Sequence, residues 1–454
     1  MDLGKIFKAY DVRGRYPDEI NEAAAKRIAQ AYAAFLKPKT VAVGRDVRVS
    51  GASLERAVVE GLTQAGVNVV TIGQVPTEVL YFSVGYYHYD GGIQISASHN
   101  PAEFNGLKLV GRGVEAISSD SGLLEIRQRA ESDETLSVPD IGQVSPKVVI
   151  EDYLDFLAQF SRFDSIPPLK IVANNNYGLS GPLAALLLRR LANEQVELVE
   201  LNFRPDGTFP KGRPDPLIEE NRRETSELIR QVGADMGVAW DADGDRCYIS
   251  DERGEVIEGC HLTAVLAVYL LRHSATAAQR EKVLFDPRNI WAIEETVRAA
   301  GGIPIVTKAG HTFIKSRMRS ENALFAGEAS GHFYFRDFYF ADSGLIPLML
   351  FLNRLNETGQ SASALVEKLR QRYFVSGEIN FEAEDKEKVV AAVAEHYPEG
   401  KLDRTDGLSL SFDSWRLNLR PSNTENLLRL NIEARDPKTV TEKTAELSAI
   451  IKSA

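Results

Sequence analysis

The sequence is short of cysteine, of positive charge and of long apolar runs, and each shortage excludes something. Two cysteines in 454 residues, Cys247 and Cys260, cannot build a disulfide framework. They stand in no spacing pattern and are expected to be free thiols in a reducing compartment. No window reaches the run of about 18 apolar residues that a membrane span needs; the best, Gly344 to Leu352, is short, carries Pro347 and reads as buried core. The opening residues, Met1-Asp2-Leu3-Gly4-Lys5, lack the basic start and apolar stretch of a signal peptide, so a cytoplasmic protein is expected. A net charge of -11 argues against nucleic acid and anionic membrane as partners, because counterion release needs a positive face.

What is present is an ordinary folded composition, 44% apolar and 26% charged. The length exceeds what one core supports, at roughly 150 residues per domain. Three stretches repeat one pattern of apolar strand, polar turn, amphipathic helix and second apolar strand: Thr40 to Gly73, Leu169 to Asn202, and Lys282 to Lys308. Units of this length are right-handed crossovers of a parallel or mixed sheet. Past Arg370 to Ser376 the pattern changes to short strands, Leu408 to Phe412, Trp415 to Leu419 and Leu427 to Ile432, followed by a helix. The expected architecture is therefore α/β: three related mixed-sheet domains over 1–148, 149–254 and 255–370, then a smaller α+β domain over 371–454.

Four segments carry chemistry. Asp241-Ala242-Asp243-Gly244-Asp245-Arg246 follows the apolar run Met236 to Trp240; alternating carboxylates on a turn past a strand end suit one hard cation, Mg²⁺. A calcium hand competes for the same acids, with Glu252 at its twelfth position, but its sixth position needs glycine and holds Arg246. A solvated acidic turn is the plainer alternative. Ser96-Ala97-Ser98-His99-Asn100-Pro101 follows the strand-like Gly92 to Ile95. Ser98 as a hydrolase nucleophile lacks the Gly-x-Ser-x-Gly elbow, and the adjacent His99 is not expected to serve it. Beside a metal-binding carboxylate turn, Ser98 instead suits a phosphoryl carrier, whose two negative charges Mg²⁺ would neutralise. Arg420-Pro421-Ser422-Asn423-Thr424-Glu425-Asn426 resembles a turn that cradles a phosphate bound but not transferred. Gly327-Glu328-Ala329-Ser330-Gly331-His332 reads equally as sugar-hydroxyl ligands or as a glycine-rich loop with a capping Glu328.

With these four segments in this order, the chain resembles the α-D-phosphohexomutase superfamily, in its bacterial phosphomannomutase/phosphoglucomutase branch, over essentially its whole length. The resemblance implies domains around a central active-site cleft and an isomerase of intramolecular phosphotransferase type. It would interconvert hexose 1-phosphate and 6-phosphate through phospho-Ser98 and a hexose 1,6-bisphosphate intermediate, which also activates. Mg²⁺ would be held by Ser98, Asp241, Asp243 and Asp245. Arg13, in Tyr10-Asp11-Val12-Arg13-Gly14, and Arg246 would contact the moving phosphoryl group, and Lys108, His311 and His332 would transfer protons or stabilise charge. Glu328 and Ser330 would hold the sugar 3- and 4-hydroxyls; Tyr10, His99, Asn100, Arg288, Arg420, Ser422, Asn423, Thr424 and Arg429 would complete substrate binding. Mannose and glucose phosphates are both implied substrates, in nucleotide-sugar synthesis, for a monomer or weak homodimer. Four positions depart from the commoner family pattern: Arg288 for lysine, Ala329 for methionine, Asn426 for proline, and Asn174-Asn175-Asn176 without a glycine. The alternatives are a phosphoglucosamine mutase, whose branch typically has glycine where Asn423 stands, and a non-catalytic sugar-phosphate-binding protein, against which intact Ser98, Lys108 and the three aspartates count.

Overall fold

The computed structural model describes residues 3–132, 137–162, 166–192, 195–274, 280–422 and 427–454. They form two compact units, Met1–Ile257 with His332–Ala362, and Glu258–Gly331 with Ser363–Ala454.

The first unit holds two mixed sheets. The larger runs, in spatial order, Val12–Arg15, Phe104–Val110, Gly91–Ile95, Thr40–Arg45, Asn68–Gln74 and Val144–Pro146. Its middle strands are parallel, and Phe104–Val110 returns antiparallel beside Gly91–Ile95. The expected crossover is here: strand Thr40–Arg45, helix Gly51–Gln64, strand Asn68–Gln74. Strand Gly91–Ile95 is buried throughout, as a central strand covered on both faces must be. Helix Glu22–Leu36, capped by the Asn21 side chain on the Ala24 amide, puts Ile28, Ala29 and Tyr32 into the same core.

The smaller sheet runs Cys247–Asp251, Met236–Trp240, Leu169–Asn174 and Val196–Leu201, with helix Ser180–Ala192 as the second expected crossover. Helix Leu345–Thr358 fills the apolar run noted in the sequence and is buried from Leu345 through Asn353. Among the described residues no helix is long and apolar enough to cross a membrane.

The second unit carries the third crossover, with strands Lys282–Phe285 and Ile303–Val306 parallel around helix Trp291–Ala299 and strand Phe325–Gly327 on the other flank. It also carries an antiparallel sheet in the order Phe374–Val375, Leu428–Ala434, Trp415–Pro421, Leu408–Ser411 and Lys401–Asp403, closed by helix Pro437–Ser453. Cys247 and Cys260 are free and buried.

Candidate active site

Strand Met236–Trp240 is buried along its length, and its antiparallel partner Cys247–Asp251 places Trp240 opposite Cys247, so Asp241 to Arg246 form the turn between them. This is a strand connection, not a calcium-binding helix-loop-helix. Gly244 sits at φ +73, where a Cβ would lie 1.9 Å from Ser180 Oγ, so the turn closes only with glycine. One carboxylate oxygen from each of Asp241, Asp243 and Asp245 lies within 4.8 Å of the others, and all three residues are buried.

Three buried carboxylates repel one another unless cations attend them. Lys108 Nζ donates to Oδ2 of both Asp243 and Asp245, and Arg246 Nε lies 3.8 Å from Asp241 Oδ2. Burial, then the charges of Asp245 and Asp243, push Asp241 well above the usual carboxylate range. Burial and Asp245 act the same way on Asp243, but the Lys108 charge and hydrogen bonds from Lys108 and Thr77 outweigh them and lower it. Asp245 is held far down against its burial, chiefly by Lys108 and then His332. Burial also opposes the Lys108 charge, yet Asp243 and Asp245 win and hold it well above the ordinary lysine value. Asp243 Oδ1 is buried and has no hydrogen-bond partner among the described residues. An oxygen-only donor set with a carboxylate oxygen left over fits a hard divalent cation such as Mg²⁺.

The fully buried strand Gly91–Ile95 delivers the serine loop to this turn. Ser98 adopts φ +49, a sparsely populated region for a residue with a Cβ. Its Oγ donates to Asp241 Oδ2 at 2.9 Å, and its amide donates to Ser96 Oγ, which in turn donates to Asp243 Oδ2 at 3.1 Å. His99, not expected to serve Ser98, has its Nδ1 3.3 Å from Ser98 Oγ. Burial, then the neighbouring Arg246, Arg213 and Arg13, hold the His99 imidazole neutral, well below the ordinary histidine value.

Arg13, on strand Val12–Arg15, donates to Asp11 at 2.8 Å and to Asn100 Oδ1 at 2.9 Å. Tyr10 lies half-buried in the bend before that strand. His332 Nε2 stands 3.3 Å from Arg246 Nε and 3.4 Å from Asp245 Oδ1.

Two residues beside this turn and loop have no signal in the sequence that points to their partners. Thr77, opening helix Thr77–Tyr86, donates its amide to the Asp243 carbonyl at 2.9 Å and its hydroxyl to Asp243 Oδ2 at 2.7 Å. A Pro-Thr helix start gives no hint of such a partner. Arg48 is 1% exposed and donates to four carbonyls, those of Ser98, Asn100 and Pro101 in the serine loop and of Phe104 at the start of the next strand, at 2.6 to 2.9 Å. Its only sequence signal is a cation in the turn after a crossover strand.

The second unit gathers the remaining candidates. Arg288 is buried against Asp286, to which Nε donates at 2.8 Å and Nη2 at 2.9 Å. The same Nη2 lies 3.5 Å from Glu328 Oε1 and 3.4 Å from Ser330 Oγ. Glu328 also accepts from the Gly310 amide at 3.0 Å, which ties it to the turn that begins helix His311–Glu321. Arg420 and Arg429 are cross-strand partners in the antiparallel sheet. The Ser422 amide donates to Leu427 O. Asn423 and Thr424, with Glu425 and Asn426, lie outside the described residues.

Models of four phosphoglucomutase/phosphomannomutase domains match this chain in order: alpha/beta/alpha domains I, II and III over 4–136, 151–254 and 258–373, and the C-terminal domain over 378–450. The chain belongs to the phosphoglucomutase/phosphomannomutase family. It is 42% identical to a phosphomannomutase of Salmonella montevideo over 455 residues, 98% of this chain and 99% of that one. It is also 42% identical over 449 residues to phosphohexose mutases of Xanthomonas campestris pv. campestris strain B100, covering 98% and 99%. A crystal structure of a phosphoglucomutase/phosphomannomutase family protein from Burkholderia thailandensis superposes with a TM-score of 0.89 at 28% identity, covering 100% of this chain and 98% of the other. The protein is accordingly an enzyme of the isomerase class with phosphohexomutase function and the phosphohexomutase fold.

Proposed function

We propose that this phosphohexomutase interconverts the 1- and 6-phosphates of mannose and glucose by way of phosphorylated Ser98. The observation that carries the reading is the 2.9 Å hydrogen bond from Ser98 Oγ to Asp241 Oδ2, which sets the serine at the edge of a buried three-carboxylate cluster.

In the first transfer a sugar hydroxyl oxygen bonds to the phosphorus of phospho-Ser98, the Oγ–P bond breaks, and the hydroxyl proton leaves to a base. In the second, Ser98 Oγ bonds to the other phosphorus of the resulting hexose 1,6-bisphosphate, the bond from that phosphorus to the sugar oxygen breaks, and this oxygen takes the proton back. Bound Mg²⁺, held by Asp241, Asp243, Asp245 and a phosphoserine oxygen, would supply neutralising charge to the phosphoryl oxygens. Lys108, held charged by two aspartates, acts as a cation and proton donor rather than as a base in this state. His332, whose Nε2 lies between Arg246 and Asp245, and His311 are the candidate bases. Arg13 and Arg246 contact the moving group. Tyr10, His99 and Asn100 line the serine loop, Glu328 and Ser330 read the sugar 3- and 4-hydroxyls, and Arg288, Arg420, Ser422, Asn423, Thr424 and Arg429 clamp the phosphate that stays.

The four-domain division at 1–148, 149–254, 255–370 and 371–454 belongs to the same proposal. So does a cytoplasmic enzyme, monomeric or weakly dimeric, that binds no nucleic acid or membrane, as its net charge of -11 favours.

A coupled mutase assay with Mg²⁺ and a trace of glucose 1,6-bisphosphate tests the reading against mannose, glucose and glucosamine 1-phosphates. Comparable kcat/KM for the first two is expected. Preference for glucosamine 1-phosphate, or turnover without labelling of Ser98, would overturn it.

A further inference from the structure

The three arginines assigned to the non-reacting phosphate already share an anion. Arg288 Nη1 lies 3.5 Å from Glu378 Oε2, Arg420 Nη2 lies 3.5 Å from the same oxygen, and Arg429 Nη1 lies 3.3 Å from Oε1. Nothing in the sequence marks Glu378, which stands at the end of the segment joining two strands. The register explains its place: strand Ile379–Phe381 sets Asn380 opposite Arg429, and Arg429 is itself opposite Arg420 on strand Trp415–Pro421. A residue one position before Ile379 therefore meets both guanidiniums. Asp286 engages Nε and Nη2 of Arg288, so Nη1 is the edge turned toward Glu378.

We propose that Glu378 is a tethered counter-ion of these arginines, a carboxylate that an incoming phosphate displaces, and that it thereby sets how tightly the enzyme holds a sugar phosphate. The inference rests on the assignment of Arg288, Arg420 and Arg429 to phosphate binding. Contacts of 3.3 to 3.5 Å are long beside the 2.7 to 2.9 Å of a direct charge-assisted hydrogen bond, so one carboxylate is shared loosely among three cations. A phosphate group brings nearly two charges and three acceptor oxygens, enough to face all three guanidiniums at once. Glu378 keeps 26% of its side chain exposed, whereas Arg288 and Arg420 keep only 6% and 5%; the carboxylate has solvent to move into and the buried arginines do not. Because it is part of the chain, it competes at a fixed, high local concentration. Once displaced, it still repels an anion a few ångströms away.

The opposite arrangement, in which Glu378 merely aligns the arginines, differs in sign. Removing an aligning carboxylate weakens phosphate binding, while removing a competing one strengthens it. The test is a titration of the full-length enzyme with inorganic phosphate at constant ionic strength, followed by the shift in thermal unfolding, for wild type, Glu378→Gln, Glu378→Asp and Arg420→Ala. Glu378→Gln is expected to bind phosphate about fivefold or more tightly, with KM for glucose 1-phosphate falling by a similar factor and kcat not rising. Glu378→Asp, shorter by one methylene, should fall between it and wild type. Unchanged or weaker phosphate binding by folded Glu378→Gln overturns the counter-ion role, provided Arg420→Ala weakens binding. If Arg420→Ala binds phosphate as wild type does, or no variant responds to phosphate, the phosphate-cradle assignment itself fails and the counter-ion role with it.

Discussion

Ser98 Oγ and Asp241 Oδ2, 143 positions apart in the chain, meet at 2.9 Å, joining the end of a strand in the six-stranded sheet to the turn of the four-stranded one. Ser98→Ala removes the oxygen that would carry the phosphoryl group, together with its hydrogen bond to Asp241, while alanine fits the same space. Turnover should fall by at least about a thousandfold in a protein that still folds. Residual activity within tenfold of wild type would sink the phosphoserine mechanism.

Thr77 holds the carboxylate of Asp243 without being a candidate ligand itself. Thr77→Val keeps the shape and deletes the hydroxyl donor at 2.7 Å from Asp243 Oδ2. Affinity for Mg²⁺, or for Mn²⁺ as a spectroscopic substitute, should drop about tenfold or more by calorimetry, as loss of a partner behind a metal ligand usually costs. Unaltered metal affinity would show that Lys108 and Ser96 suffice to orient the aspartate.

Arg48 satisfies four carbonyls from a fully buried position and pairs with Asp46, its Nε 3.2 Å from Asp46 Oδ2. Arg48→Met fills the volume but strands those acceptors and an unpaired buried carboxylate. Chemical denaturation should report a loss of about 3 to 5 kcal/mol. Arg48→Lys should recover only part of it, because one ammonium cannot fork across four carbonyls. Full recovery by lysine would mean that charge, not geometry, secures the loop.

Glu78, on the helix that Thr77 begins, is buried and hydrogen-bonded to Ser343 and the Leu345 amide. Burial pushes its carboxyl up from 4.5 to about 7, with those hydrogen bonds only partly opposing it. Between these values the folded protein holds a proton that the unfolded chain has released, so its contribution is fully present below pH 4.5 and is lost as pH rises through about 7. The loss amounts to about 3 kcal/mol. Glu78→Gln should flatten that part of the stability profile, gaining on wild type from pH 5 to 8 in denaturant titrations. Parallel profiles for the two proteins would place the pH dependence elsewhere.

Much of this protein is local and therefore legible. Apolar periodicity puts the crossover helices at about Ser53 to Ala65 and Ile290 to Ala300, and they form at Gly51–Gln64 and Trp291–Ala299, because a helix stripe and a buried strand are written in consecutive side chains. The carboxylate turn, the serine loop and Arg420 also announce themselves, since turn chemistry depends on neighbours in sequence. Other features have no local signature. That Lys108 pairs with Asp243 and Asp245 depends on the antiparallel register of Gln94 with Lys108 in one sheet and on a turn in another. Thr77, Arg48 and Glu378 sit in unremarkable stretches and gain their roles only through what the sheets bring beside them. The amino-acid sequence by itself determined the strands, the helices and the family; tertiary structure alone decided which side chains meet, because strand order and register, not chain distance, set the spacing of groups more than a hundred residues apart.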